Sequence, residues 1–142
     1  MTTLLQINTS VFSDHGNSSQ LANAFVAEWQ RRHPGGRVVV RDLGQNPIPH
    51  LDAARVQAFF TPAEQRSAQQ QALVAQSDEL IAELKSADAV VLGLPMYNFG
   101  VPSTLKAYFD HLARAGVTFR YTANGPEGLI GDRKLTIFAA RG

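Results

Sequence analysis

Hydroxyl and amide side chains cluster between Ser10 and Ser19, directly after an apolar run near the start of the chain. The same segment contains Gly16, Asn17 and Ser18. Hydroxyl groups, free backbone N–H groups and the N-terminus of a helix together bind anions. The first 30 residues contain neither Lys nor Arg, so neutral donors would hold a phosphate bound here. The alternative is that Ser18 or Ser19 only caps the helix that follows.

A second group of chemically useful side chains lies between Pro95 and Pro102. The prolines and Gly100 predict an exposed turn. The residues that this turn displays are apolar or aromatic, with one amide: Met96, Tyr97, Asn98 and Phe99. Such a surface suits the face of a flat heteroaromatic ring, with the amide at the ring's polar edge. The alternatives are a turn packed into the core and a protein–protein contact.

Several classes of chemistry lack the residues that they need. The chain has no cysteine, which excludes disulfides, metal–thiolate sites and a thiol nucleophile. It has no Gly-x-Gly-x-x-Gly motif, no Gly-Lys-Ser/Thr loop and no Gly-x-Ser-x-Gly nucleophile elbow. The four histidines are scattered, so we predict no metal site. An acidic phosphoacceptor site is not expected, because Gln6, Ile7 and Asn8 occupy the end of the first apolar run.

The elements that must position these residues alternate along the chain. Four apolar runs predict β-strands: Leu4–Ile7, Val38–Val40, Ala89–Leu94 and Leu135–Ala140. The first, third and fourth are nearly continuous, which predicts central strands covered on both faces. Helical spacing of apolar residues predicts three helices. The first carries Leu21, Phe25 and Trp29. The second, after Pro62, carries Leu73, Leu80, Ile81 and Leu84, and the third, after Pro102, carries Leu105, Tyr108, Phe109 and Leu112. This alternation predicts a parallel α/β sheet, with ligands bound beyond the carboxyl ends of its strands.

Length and charge limit the remaining possibilities. The 142 residues predict one domain, and 13 Lys+Arg against 12 Asp+Glu give a net charge of +1. We therefore expect no nucleic-acid partner. The longest uncharged run, 89–105, contains prolines that make it unsuitable as a membrane span, so no membrane association is expected. The N-terminal residues lack the basic start of a signal peptide, and the expected location is the cytoplasm.

One known family carries similar sequence at Pro95–Phe99, at Ala113–Thr122 and at Asn124–Leu129. Arg41–Leu43 and Asn46–Pro49 are similar to that family's second strand and the loop after it. On these segments the chain resembles the FMN-dependent NADH-azoreductases, which are also quinone reductases. The resemblance extends from residue 4 to the last residue.

The resemblance implies a flavodoxin-like fold, a three-layer α/β sandwich with strand order 2-1-3-4-(5). It implies FMN held without a covalent link, NADH as electron donor, and a quinone or azo compound as two-electron acceptor. It also implies a homodimer with both active sites at the interface. Because the flavin carries the hydride chemistry, no side chain is expected to act as nucleophile or general acid.

The family's contact residues fall on three segments of this sequence. The phosphate contacts fall on Ser10, Gly16, Asn17 and Ser18. The ring contacts fall on Met96, Tyr97, Asn98 and Phe99, and a third segment falls on Ala140, Arg141 and Gly142. Family analogy also makes Phe60 and Tyr121 the walls for a planar acceptor.

The sequence departs from the family at several points. Gly16 and Ala140 stand where relatives often carry serine, and the third segment ends at Gly142, one residue early. Relatives continue through a fifth strand, so the expectation is a single FMN-binding domain over 1–142 that comes from a longer protein and leaves its fourth strand as an exposed apolar edge. Two alternatives remain open: an FMN-binding electron carrier that does not itself oxidise NADH, and a catalytically silent fragment.

Overall fold

The computed structural model describes residues 2–141. Its strands are β1 (Thr3–Asn8), β2 (Arg37–Asp42), β3 (Ala89–Pro95), β4 (Phe119–Thr122), β5 (Gly125–Gly128) and β6 (Lys134–Ala140). Its α-helices are α1 (Asn17–Arg32), α2 (Ala53–Phe60), α3 (Ala68–Ser86) and α4 (Ser103–Leu112). Short 3-10 turns occupy Ser13–His15 and Ala63–Gln65.

The main sheet has four parallel strands in the order β2-β1-β3-β6. Asn8 at the end of β1 pairs with Asp42 of β2 and with Gly93 of β3. Pro95 at the end of β3 pairs with Ala140 of β6. The predicted order is therefore confirmed, with β6 as the fourth predicted strand. The loops after these strands all leave from one edge of the sheet.

The sequence patterns did not predict two elements of the structure. One is α2, whose N-cap Asp52 accepts a hydrogen bond from the Arg55 N–H at 2.9 Å. The other is the antiparallel hairpin β4–β5, in which Phe119 pairs with Gly128 and the turn uses Gly125 at φ 108°. Both segments carry an apolar pattern, with Val56, Phe59 and Phe60 at helical spacing and Phe119 and Tyr121 alternating with polar residues, but these patterns span only eight residues in α2 and four in β4. The predicted helix after Pro62 is α3. It begins at Ala68, because Pro62 precedes a separate 3-10 turn.

The prediction that the last strand is covered on both faces is wrong. β6 lies at an edge of the described sheet, and Leu135 and Ile137 are about half exposed on one of its faces. Thr136 and Phe138, on the other face, are partly buried. The near-continuous apolar run hid this difference between the faces, although the expected exposed apolar edge is present.

The chain divides into two compact units, the first comprising residues up to Ile48, Ser86–Lys106 and the chain from Asp132 on. Its core contains Leu4, Val91 and the α1 residues Ala22, Val26 and Trp29. The predicted α1 stripe is thus confirmed at Trp29, which is buried, and at Phe25, which packs against this core, and it is wrong at Leu21, which is 48% exposed. Positions 22, 26 and 29 lie on one face of α1, and α1 packs against β3 and β6.

The second unit, Pro49–Lys85 with Ala107–Gly131, buries the polar side chains of His111 and Arg114 beside apolar residues such as Leu80 and Ile81. The Nε2–H of the neutral His111 ring donates to the Pro49 carbonyl at 2.9 Å. Arg114 donates to the Ser77 hydroxyl at 2.9 Å. Its guanidinium lies 4.6 Å from the centre of the Phe59 ring. The predicted α4 stripe is correct at Tyr108 and wrong at Phe109, which is exposed.

None of the helices within residues 2–141 is both long enough and apolar enough to cross a membrane.

Truncation of Leu4 tests the core of the first unit. Leu4→Ala removes a fully buried side chain and should lower the free energy of unfolding by about 2–5 kcal/mol. Leu21→Ala is the matched control, because its half-exposed side chain should change stability by less than about 0.5 kcal/mol. Urea denaturation measures both. Equal losses would contradict the assignment of the buried face of α1.

The environment of His111 predicts a pH-dependent stability. Burial, helped by the charges of Arg55 and Arg114, holds the pKa of His111 below its ordinary value of 6.5. The unfolded chain therefore binds the proton first as the pH falls, so the stability present above pH 6.5 is lost below it. The slope should reach at most about 1.4 kcal/mol per pH unit.

His111→Gln keeps an N–H donor for Pro49 and removes the titrating ring. Denaturant unfolding between pH 7.5 and 5 should show a shallower slope for this variant than for the parent chain. An unchanged slope would show that another group is responsible.

Candidate functional site

The loop after β1 is a tight turn held by its own hydrogen bonds. Ser10 is buried, and its hydroxyl oxygen accepts the Phe12 N–H at 3.1 Å. The Ser13 N–H donates to the Ser10 carbonyl at 3.1 Å. Ser13 adopts a φ of 50°, a conformation that costs free energy for a residue other than glycine. This loop therefore has a fixed shape before any ligand arrives.

Gly16 makes that shape possible. A Cβ atom at this position would lie 2.3 Å from the Ser10 hydroxyl oxygen and 2.7 Å from its Cβ. The Ser10 side chain thus occupies the space that a side chain at position 16 would need. Glycine at position 16 is therefore required by the packing of Ser10 in this chain.

The start of α1 presents donors that nothing in the described residues uses. The helix begins at Asn17 with Gly16 as N-cap, so the alternative that Ser18 or Ser19 caps it is wrong. Both serines lie in the first turn, and their hydroxyls are buried without a hydrogen-bond partner. The first backbone N–H groups of a helix also lack partners within it. An anion would satisfy these donors, with the positive end of the helix dipole behind them.

The loop after β3 turns sharply at its tip. The Tyr97 N–H donates to the Gly100 carbonyl, and the Gly100 N–H donates back, both at 3.0 Å. Asn98 and Phe99 between them have φ values of 51° and 63°. Positive φ suits Asn but is unusual for Phe, whose side chain is 96% exposed. The turn therefore holds an aromatic side chain in solvent at a cost in backbone strain.

Tyr97 joins this turn to the first loop. Its phenol oxygen accepts the Val11 N–H at 3.1 Å and lies 3.5 Å from the Ser10 hydroxyl. The Met96 N–H donates to the Ala140 carbonyl at 2.9 Å, which extends the pairing of β3 with β6. Backbone and side-chain bonds thus connect the ends of three strands.

Two clefts lie along these loops. The smaller, of about 200 Å³, is lined by Ser10, Phe12, Gly16, Asn17, Ser18, Pro95, Tyr97, Ala140 and Arg141. The larger, of about 610 Å³, is lined by Val11, Phe12, Met96, Tyr97, Asn98, Val101 and Ser103. Phe12 and Tyr97 line both clefts, so the two are adjacent.

The structure brings together most of the residues predicted from the sequence. Seven of them line the smaller cleft, and Met96, Tyr97 and Asn98 line the larger. Phe99 lines neither cleft, and Gly142 lies outside the described residues. Sequence reasoning missed Phe12, although a large apolar side chain among serines in a turn was a signal for it.

The smaller cleft fits a phosphate group. Ser18, whose hydroxyl is buried without a partner, lines it at the start of α1, and Arg141 is the one charged side chain among the described residues that line it. The larger cleft is walled by Met96, Tyr97 and Val101, which suits the face of an aromatic ring. A flavin carrying a phosphate matches this pair of surfaces.

Phe60 and Tyr121, the predicted acceptor walls, line a common cleft of about 240 Å³ in the second unit. Both side chains are largely exposed. The Phe119 ring meets the Tyr121 ring edge to face, with centroids 5.3 Å apart. The cleft is mostly aromatic and apolar, and Asp110 and Arg114 are the charged residues among the described residues that line it.

Among residues 2–141 no three His, Cys, Asp or Glu side chains lie close enough together to bind a metal ion.

Comparison with known proteins places this geometry in a family. A family model described as a flavodoxin-like fold matches residues 2–142. An FMN-dependent NADH:quinone oxidoreductase of Cellvibrio japonicus is 65% identical over 142 residues, which are all of this chain and 71% of that protein. A protein of the same name from Paraburkholderia phymatum is 57% identical over the whole chain and 72% of its own length. The chain is thus shorter than these relatives.

Solved structures agree with the sequence comparison. An azoreductase from Bacillus anthracis str. Sterne superposes with a TM-score of 0.89 at 34% identity, over all of this chain and 70% of that one. An FMN-dependent NADH-azoreductase from Bacillus anthracis str. Ames Ancestor, in complex with FMN, gives a TM-score of 0.89 at 26% identity, with the same coverage. The predicted flavodoxin-like fold is confirmed. The chain belongs to the flavodoxin-like family of FMN-dependent NADH:quinone oxidoreductases and azoreductases.

Proposed function

We propose that this protein is an FMN-dependent NADH oxidoreductase that reduces quinones by two electrons and cleaves azo compounds reductively. The observation that carries the proposal is the Ser18 hydroxyl, which is buried without a partner at the start of α1. It lies in a cleft that Tyr97 and Arg141 also line. The names of the relatives, which include both activities, support the same conclusion.

The phosphate of FMN would be held by Ser10, Gly16, Asn17 and Ser18. Ser18 donates a hydroxyl hydrogen, and the start of α1 donates backbone N–H groups. Ser10 shapes the loop, because its oxygen already accepts the Phe12 N–H. The rigid turn lowers the entropy that would be lost when the phosphate is bound.

The ring would lie against the loop after β3, with Met96, Tyr97, Asn98 and Phe99 as its contacts. The Asn98 amide and the backbone of Ala140, Arg141 and Gly142 are the candidates for its polar edge. Donors aimed at that edge stabilise negative charge as it develops on the bound group. Arg141 lines the smaller cleft, where its positive charge would also favour the phosphate.

Bound FMN would supply the hydride chemistry, accepting a hydride from NADH in one half-reaction and donating it to the acceptor in a second, with one such cycle for a quinone and two for cleavage of an azo bond, a four-electron reduction. The residues of the chain bind the cofactor, orient it and exclude water from one side of it. Phe60 and Tyr121 would form the walls for the flat acceptor. No side chain is required as nucleophile or general acid.

The working form is proposed to be a homodimer in the cytoplasm, with 1–142 as one FMN-binding domain. The dimer rests on the resemblance described above, which places both active sites at the subunit interface. The cytoplasm is the compartment in which NADH is available as donor.

The direct test is to purify the chain and add FMN and NADH. We expect flavin fluorescence to be quenched on titration, a flavin absorbance band to stay with the protein, and NADH to be consumed with a quinone or azo dye. FMN binding without NADH consumption would instead indicate an electron carrier. Absence of both binding and turnover would overturn the proposal.

Two neighbouring serines test the phosphate site. Ser18→Ala removes a hydroxyl that lines the cleft and should weaken FMN binding by about tenfold, the loss of one charge-assisted hydrogen bond. Ser19→Ala is the matched control, because its hydroxyl is equally buried and unpartnered but does not line the cleft. Flavin fluorescence titration measures both affinities. Equal effects of the two substitutions would contradict the assignment of Ser18.

A further inference from the structure

Asp42, the last residue of β2, holds the loop after β1 from the neighbouring strand. One of its carboxylate oxygens, Oδ1, accepts three hydrogen bonds. The Ser13 hydroxyl donates at 3.3 Å, the Gly44 N–H at 2.9 Å and the Gln45 N–H at 3.1 Å. A single oxygen atom therefore ties the loop after β2 to the loop after β1.

Gly44 shows how closely these two loops approach. A Cβ atom at this position would lie 2.2 Å from the Ser10 carbonyl oxygen and 3.0 Å from the Ser13 hydroxyl oxygen. Glycine is needed here for space, because backbone meets backbone and neither side can yield by rotating a side chain. The Leu43 N–H also donates to the Asn8 carbonyl at 2.8 Å, which continues the pairing of β1 with β2 into the loops.

The contact falls on the strained residue of the first loop. Ser13 has a φ of 50°, and its N–H closes the turn on the Ser10 carbonyl. Its hydroxyl is directed at Asp42 and does not line either cleft. A residue in that conformation persists only where its surroundings stabilise it, and Asp42 supplies the side-chain acceptor.

We infer that Asp42 is a positioning residue for the phosphate half of the cofactor site, a deduction that rests on the proposed function. It fixes the Ser10–Ser13 turn, which in turn sets the Ser10 side chain against Gly16. The carboxylate acts as a hydrogen-bond acceptor, and its negative charge is not needed for that task. Loss of the acceptor should therefore weaken the binding of ligands that carry a phosphate and leave the binding of phosphate-free ligands unchanged.

The test compares FMN with riboflavin, which has the same ring system and no phosphate. Flavin fluorescence titration of the 142-residue chain gives a dissociation constant for each. Asp42→Ala should weaken FMN binding by about tenfold, as expected for lost loop-fixing hydrogen bonds, and riboflavin binding by less than about twofold. Asp42→Asn keeps an oxygen acceptor and should restore FMN binding to within about threefold of the parent chain.

Asp88→Ala is the matched control. The Asp88 carboxylate also accepts a backbone N–H, from Thr3 at 2.7 Å, but at the opposite edge of the same sheet. Its substitution should leave the ratio of FMN to riboflavin affinity unchanged. Should Asp42→Ala fail to fold, as judged by circular dichroism, Ser13→Ala takes its place, because it removes the hydroxyl that donates to Asp42 and leaves the two backbone donors of the loop after β2 in place.

The outcomes separate this inference from the function on which it rests. A parent chain that prefers FMN to riboflavin, with the preference reduced in Asp42→Ala and restored in Asp42→Asn, supports it. Equal weakening of both flavins, or no change in either, would overturn it and leave the proposed function intact. A parent chain that binds neither flavin would overturn both.

Discussion

The four parallel strands end at one edge of the sheet, and the backbone N–H and C=O groups of the loops beyond that edge need hydrogen-bond partners. The candidate site depends on which partners they find. Groups in these loops form hydrogen bonds with the neighbouring strands and loops as well as within their own loop. The Thr9 hydroxyl donates to the Gly93 carbonyl at 2.8 Å, and the Leu43 N–H donates to the Asn8 carbonyl at the same distance. These bonds join β1 to both of its neighbours beyond the point where regular pairing stops. The shape of the cleft therefore follows from the backbone hydrogen-bonding requirement of the sheet edge.

Within that frame, the site keeps some polar groups unsatisfied. The Ser18 hydroxyl is buried without a partner, and an unmade hydrogen bond of this kind costs about 1–3 kcal/mol. The turn at Asn98 and Phe99 adds backbone strain on the other side of the cleft. Both costs lie at positions where we propose that the phosphate and the ring of FMN bind. These unmade hydrogen bonds lower the folding stability of the free chain. A ligand that accepts hydrogen bonds from the unused donors would recover that free energy as binding free energy.

The sequence predicted the parts of the fold that depend on local hydrophobicity, and it failed where tertiary contacts decide. The four strands of the main sheet were predictable from apolar runs and the two ligand loops from their composition, whereas the strand order came from the family resemblance. α2 and the β4–β5 hairpin were missed, because their apolar patterns are short, at eight residues in α2 and four in β4, and a cap at Asp52 and a glycine at the turn fix where they begin. The role of Asp42 was invisible as well, since its partner Ser13 lies 29 positions away in the sequence.

The absence of Lys and Arg from the first 30 residues has a consequence for how the ligand is retained. Charged side chains attract phosphates over a distance of about 8–10 Å, and dissolved salt weakens that attraction. Hydroxyl and backbone donors act only in contact and are shielded from ions once the phosphate covers them. A cofactor held mainly by such donors would dissociate at nearly the same rate in dilute buffer and in concentrated electrolyte.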